Sequence, residues 1–64
     1  MRLTDFWERM DLALGPVYAR SWAKDVALSD LGSRTVEQAI AAGIDTKDIW
    51  RAVHAQLGLP AKDR

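Results

Sequence analysis

The sequence has no cysteine. That absence removes disulfides, thiolate metal sites and cysteine nucleophiles together. Histidine is nearly as scarce: His54 is alone, so no paired-histidine metal motif can form. Ser21, Ser29 and Ser33 have no second histidine or lysine arrangement that suggests an activated hydroxyl. The four glycines, Gly15, Gly32, Gly43 and Gly58, are isolated, which leaves no phosphate-cradling loop and reads instead as helix punctuation. Charge of either sign is not in excess, because nine Lys and Arg balance nine Asp and Glu. A zero net charge gives no general attraction to nucleic acid or to an anionic membrane. Apolar runs fall well short of the roughly 20 residues that span a bilayer. The opening MRLTDFWERMD is charged and amphipathic, without the apolar centre of a secretion signal. These absences predict a cytoplasmic protein that is not an enzyme and carries no cofactor and no metal.

What the sequence does have is aromatic bulk. A chain of 64 residues is one domain, residues 1–64, and small for a self-sufficient core. Trp7, Trp22, Trp50, Tyr18 and Phe6 must supply much of the buried area, at roughly 150–250 Å² for each large ring. Helical periodicity places all three tryptophans on apolar stripes.

The pattern predicts an all-α fold, a compact single-domain bundle of about four short helices at 4–14, 16–28, 35–42 and 46–57. Thr4 is the expected cap of the first helix, with Asp5 and Glu8 in its positive first turn and Phe6, Trp7, Met10 and Leu14 on its apolar face. Gly15 stops that helix and Pro16 starts the next, which carries Tyr18, Trp22 and Val26 on one stripe. Arg20 and Lys24 fall on its solvated face. Leu28 and Leu31 are expected to point inward and pin the connector. No β-strand is expected, because no stretch alternates apolar and polar residues between turn signals.

Thr35 and Gln38 have capping-box spacing, Gly43 and Ile44 form a Schellman-type end, and Asp45 caps the last helix with Asp48 in its first turn. Capping alone explains this carboxylate pair. Ile49, Trp50, Val53 and Leu57 make the last apolar stripe, beside which His54 reads as a half-buried residue at the edge of the core. Gly58-Leu59-Pro60 is a second glycine stop. The tail Ala61-Lys62-Asp63-Arg64 has nothing to bury and reads as frayed.

The last two helices form a helix-turn-helix-like corner, with small or apolar residues at Ala39, Ala42, Gly43, Ile44 and Ile49. Its chemistry suits DNA poorly. The second helix of such a unit faces the major groove, and here Asp45 and Asp48 would approach the phosphates while Lys47 and Arg51 alone attract them.

Across its full length the pattern resembles a family of short actinobacterial proteins classed as domain of unknown function 3046. The carrying residues are Met1-Arg2-Leu3-Thr4 with Phe6, then Leu31-Gly32 and Arg34-Thr35, then Ala39-Ile40, Ala42-Gly43, Asp45, Ile49-Trp50-Arg51-Ala52 and Pro60. Members of that family are often encoded near the recombinase RecA and its regulator RecX, and the resemblance thereby implies a link to DNA repair or recombination. It implies no catalytic residues.

Two functional expectations follow. The first is a non-enzymatic protein-interaction module that binds a protein partner, with Arg34, Trp50 and Arg51 as contacts. The alternative is a helix-turn-helix-like nucleic-acid-binding protein that uses Thr46, Lys47 and Arg51.

Overall fold

The computed structural model describes residues 1–60. Its elements run α1 (Leu3–Leu14), α2 (Pro16–Asp25), β1 (Ala27–Leu28), a single 3-10 turn (Ser29–Leu31), β2 (Arg34–Thr35), α3 (Val36–Ala41) and α4 (Thr46–Leu57). The expected frayed tail lies outside the described residues.

The helices α1 and α4 bury the faces that their sequence periods assign, and α2 buries Trp22 of its expected stripe. Phe6 and Met10 come from α1, Ala19, Trp22 and Ala23 from α2, Val36 and Ala39 from α3, and Ile49, Trp50, Ala52 and Val53 from α4. Leu28 and Leu31 close this single core from the connector, as expected. The alanines are its close-packing points, where one helix can approach another without a long side chain between them. The molecule measures 25 × 24 × 21 Å.

The α3–α4 corner follows its sequence signals bond by bond. The Thr35 hydroxyl accepts from the Gln38 amide at 3.1 Å, and the Gln38 side chain accepts from the Thr35 amide at 3.0 Å. Two of the orphan donors at the start of α3 are thereby satisfied. At its other end the Ile44 amide reaches back to the Ala39 carbonyl and the Gly43 amide to the Ile40 carbonyl, both at 3.1 Å. This Schellman pairing requires a residue at positive φ between them, and Gly43 holds φ +80°. Asp45 then accepts from the Lys47 amide at 2.9 Å, which starts α4. Removing the box with Thr35→Ala should cost about 1 kcal/mol, read as a shift in the urea midpoint with an unchanged slope. An unchanged midpoint would show that the box contributes nothing.

Four local expectations are corrected, the absence of any strand among them. The second helix ends at Asp25 rather than at 28, because Val26 turns extended (φ −94°, ψ 118°). The chain then pairs with itself: Ala27 lies opposite Thr35 and Leu28 opposite Arg34 in an antiparallel two-stranded sheet. Strands of two residues are too short to show alternation, so nothing in the sequence pattern marks them. Their ladder satisfies backbone groups that would otherwise be left between two helices.

At the N-terminus α1 begins at Leu3, with Arg2 at the cap position and no side-chain cap bond. Thr4 therefore lies inside the first turn rather than capping it. Finally, Tyr18 is 58% exposed. It sits in the first turn of α2, on the edge of the stripe that Ala19, Trp22 and Ala23 bury.

Candidate protein-interaction groove

Phe6 and Trp50 seat α1 against α4. Phe6 meets Trp50 edge to face, with ring centroids 6.3 Å apart and planes at 84°. At one end the Thr46 hydroxyl donates to the Met1 carbonyl at 2.7 Å. At the other, Leu12 and Leu59 line a common hollow. The starts of the two helices share one end, so they run side by side in the same direction.

A groove lies between them in two parts. The first is a cleft of about 770 Å³ lined by Met1, Asp5, Glu8, Arg9, Lys47, Trp50 and Arg51. The second, of about 390 Å³, is lined by Arg9, Leu12, Ala13, Trp50 and Leu59. Arg9 and Trp50 belong to both, and the Arg9 guanidinium carbon stands 5.9 Å from the Trp50 ring centroid. One end of the groove is therefore charged and the other apolar. Carboxylates come from α1 alone, and two of the three cations come from α4.

Two of the sequence-selected contacts, Trp50 and Arg51, line this groove, and the third, Arg34, is not among its lining residues. Trp50 is 3% exposed. It is a buried wall and not the open anchor that a partner contact suggests, because its ring is spent on Phe6 and on the edge of His54, 6.4 Å away. Arg51 is exposed and forms an ion pair with Asp48 at 3.5 Å, one turn away on α4. An exposed pair of this kind contributes a few tenths of a kcal/mol, about 0.2–0.5. Arg34 serves its own loop: the guanidinium donates to the Leu31 carbonyl at 3.1 Å and rests over Gly32, where an added Cβ would sit 2.9 Å from it.

Of the three candidate nucleic-acid contacts, Lys47 and Arg51 share the charged cleft, while Thr46 gives its hydroxyl hydrogen to Met1. The half-exposed tryptophan is Trp7. Its ring is covered by Arg20, whose guanidinium carbon lies 3.8 Å from the centroid.

His54 is buried and its Nε2 lies 2.7 Å from the Pro60 carbonyl. A carbonyl only accepts, so the hydrogen is on Nε2. With the Leu59 amide bonded back to the His54 carbonyl at 3.2 Å, this bond fixes the segment that places Leu59 in the groove.

Sequence reasoning missed Met1, Ala13 and Leu59 of the groove, and above all Asp5, Glu8, Arg9 and Leu12 on α1. Asp5 and Glu8 had a sufficient local role in the first turn of α1. Yet the four recur at i, i+3, i+4 and i+7, a second stripe on the helix, matched on α4 by Lys47, Trp50 and Arg51. That double periodicity was the available signal.

Fold and groove together define a small, mostly helical domain with a single aromatic core. A family model described as a protein of unknown function (DUF3046) matches residues 1–62 of the 64-residue chain, and the chain belongs to this family. No curated protein and no solved structure matches it. Among the described residues no helix is long and apolar enough to cross a membrane.

Proposed function

We propose that the protein is a non-enzymatic interaction module that binds a protein partner along the α1–α4 groove. The observation that carries this reading is the groove's two-part lining. A charged cleft formed by Asp5, Glu8, Arg9, Lys47 and Arg51 continues into an apolar hollow formed by Leu12, Ala13 and Leu59. Protein interfaces combine apolar contact with a polar rim in this way, whereas small-molecule sites are predominantly apolar with a few placed polar groups. The α1 wall carries both carboxylates with Arg9, and the α4 wall carries Lys47 and Arg51, which suits a surface of mixed charge.

The nucleic-acid reading is weaker on the same surface. Asp5, Glu8 and Asp48 stand beside Lys47 and Arg51, so few phosphates could be neutralised. Thr46, its third contact, already bonds Met1.

The test places a photoreactive residue at position 51 in the groove or at position 24 on α2, in cells that make the protein. Position 51 should yield a protein adduct and position 24 should not. No protein adduct at 51, or equal adducts at both, would overturn the reading. In parallel, duplex and single-stranded DNA are titrated by fluorescence anisotropy at low salt. No binding is expected at high micromolar protein, whereas binding abolished by Lys47→Glu would favour the nucleic-acid reading.

A further inference from the structure

We propose that the occupant of the α1–α4 groove is a second copy of this chain, paired by a two-fold axis running along the groove. The proposal rests on the interaction reading above and names its partner. A two-fold interface must be complementary to itself, since the same patch is presented by both copies. An axis along the groove lays α1 of one copy over α4 of the other and keeps each end of the groove against its own kind.

At the charged end, the α1 wall of one copy, on which Asp5 and Glu8 outnumber Arg9, then faces Lys47 and Arg51 of the other, twice over. At the other end, Leu12 of one copy faces Leu59 of the other, also twice. Both matches are set by the linings as they stand, in which Asp5, Glu8, Lys47 and Arg51 share one cleft and Leu12 and Leu59 share the other.

Two further observations fit. Leu12 is 88% exposed in the single chain, on the α1 stripe that also carries Asp5 and Glu8, and pairing gives it apolar cover. The net charge is zero, so two copies do not repel one another at long range.

Size sets the strength. One face of a molecule 25 × 24 × 21 Å across offers roughly 600 Å² in projection, below the ~800 Å² per partner of a standard stable complex. The dimer is therefore expected at the weak end of specific association.

The test is sedimentation equilibrium of the purified chain from 10 µM to 1 mM, as order-of-magnitude limits for an interface of this size. Wild type should pass from monomer to dimer over this span. Asp5→Lys with Glu8→Lys makes both walls basic, and Lys47→Glu with Arg51→Glu makes both acidic. Each double variant should stay monomeric, with dimerisation at least about tenfold weaker, equivalent to about 1.4 kcal/mol. Mixing the two in equal amounts should restore a heterodimer, because every basic wall then meets an acidic one.

All four positions are exposed, and far-UV circular dichroism checks folding. If a double variant fails to fold, the decision passes to Leu12→Glu, which changes a side chain already in solvent and must weaken the dimer by the same factor. The proposal is overturned by a wild type that stays monomeric at 1 mM, by reversed variants that dimerise as wild type does, by a mixture that stays monomeric, or by a neutral Leu12→Glu. A monomeric wild type whose position 51 still crosslinks a different protein would overturn the second copy as partner and leave the interaction reading standing.

Discussion

Trp22→Ala should cost the domain about 3–5 kcal/mol of stability. Trp22 is 6% exposed and belongs to the one core cluster, the position that its place on the α2 stripe predicts. Truncating a buried tryptophan removes its transfer free energy and leaves a cavity, together about 3–5 kcal/mol. A chain of 64 residues has a total stability of roughly 3–10 kcal/mol at 0.05–0.15 kcal/mol per residue. The loss therefore consumes between about a third of the margin and all of it, and with no cysteine there is no disulfide to hold the remainder together.

Tyr18→Ala is the control. It removes a large ring from the same helix, but one that is 58% exposed, and should change stability by less than about 0.5 kcal/mol. Urea denaturation of the three proteins, followed at 222 nm, decides the matter. Equal midpoints for Trp22→Ala and wild type would show that the core is organised around something else.

The contrast between Trp22 and Tyr18 also marks how far the sequence carries. Local signals that name their own partners were legible in full: Thr35 with Gln38, Gly43 with Ile44, and Asp45 with the first turn of α4 are each complete within a few residues. α4 accordingly has the expected bounds, 46–57. The β1–β2 pairing was not legible, because its partners are 6 and 8 residues apart in sequence and its strands hold two residues each. Tyr18 was misplaced because positions four apart drift around the helix by about 40° at each step: the buried face of α2 is formed by Ala19, Trp22 and Ala23, and Tyr18, a turn before Trp22, falls to its exposed side.

The groove was legible by halves. Each helix carries its own stripe of charged and aromatic residues, but which two helices lie side by side is decided by tertiary packing. The Met1–Thr46 bond spans 45 residues, and no local pattern announces it. Trp50 shows the same limit from the other direction. The α4 stripe places it in the core, whereas its choice as a partner contact asks for an open ring, and the approach of Phe6 from α1 decides for the core.

That approach supplies the second large effect. Phe6→Ala should destabilise the domain by about 3–5 kcal/mol, as much as the loss of Trp22 despite the smaller ring. Phe6 is fully buried and serves two tryptophans at once. It stands edge to face against Trp7 at 5.4 Å and 75° and against Trp50 at 6.3 Å and 84°. Such pairs add about 0.5–1.5 kcal/mol beyond the area buried, and Ala forfeits both.

Phe6→Leu separates this geometry from simple volume. It keeps most of the apolar bulk and should cost less than about 1.5 kcal/mol, so the variant folds. Its far-UV spectrum should match wild type while the near-UV tryptophan bands weaken, since the rings lose the edge that orients them. Because the Trp50 wall faces both parts of the groove, the same variant should also bind more weakly there. Near-UV bands unchanged in Phe6→Leu would show that Trp7 and Trp50 are held by their other neighbours, Arg20 for the first and His54 for the second, and that Phe6 is filler rather than the hinge pin of the α1–α4 pair.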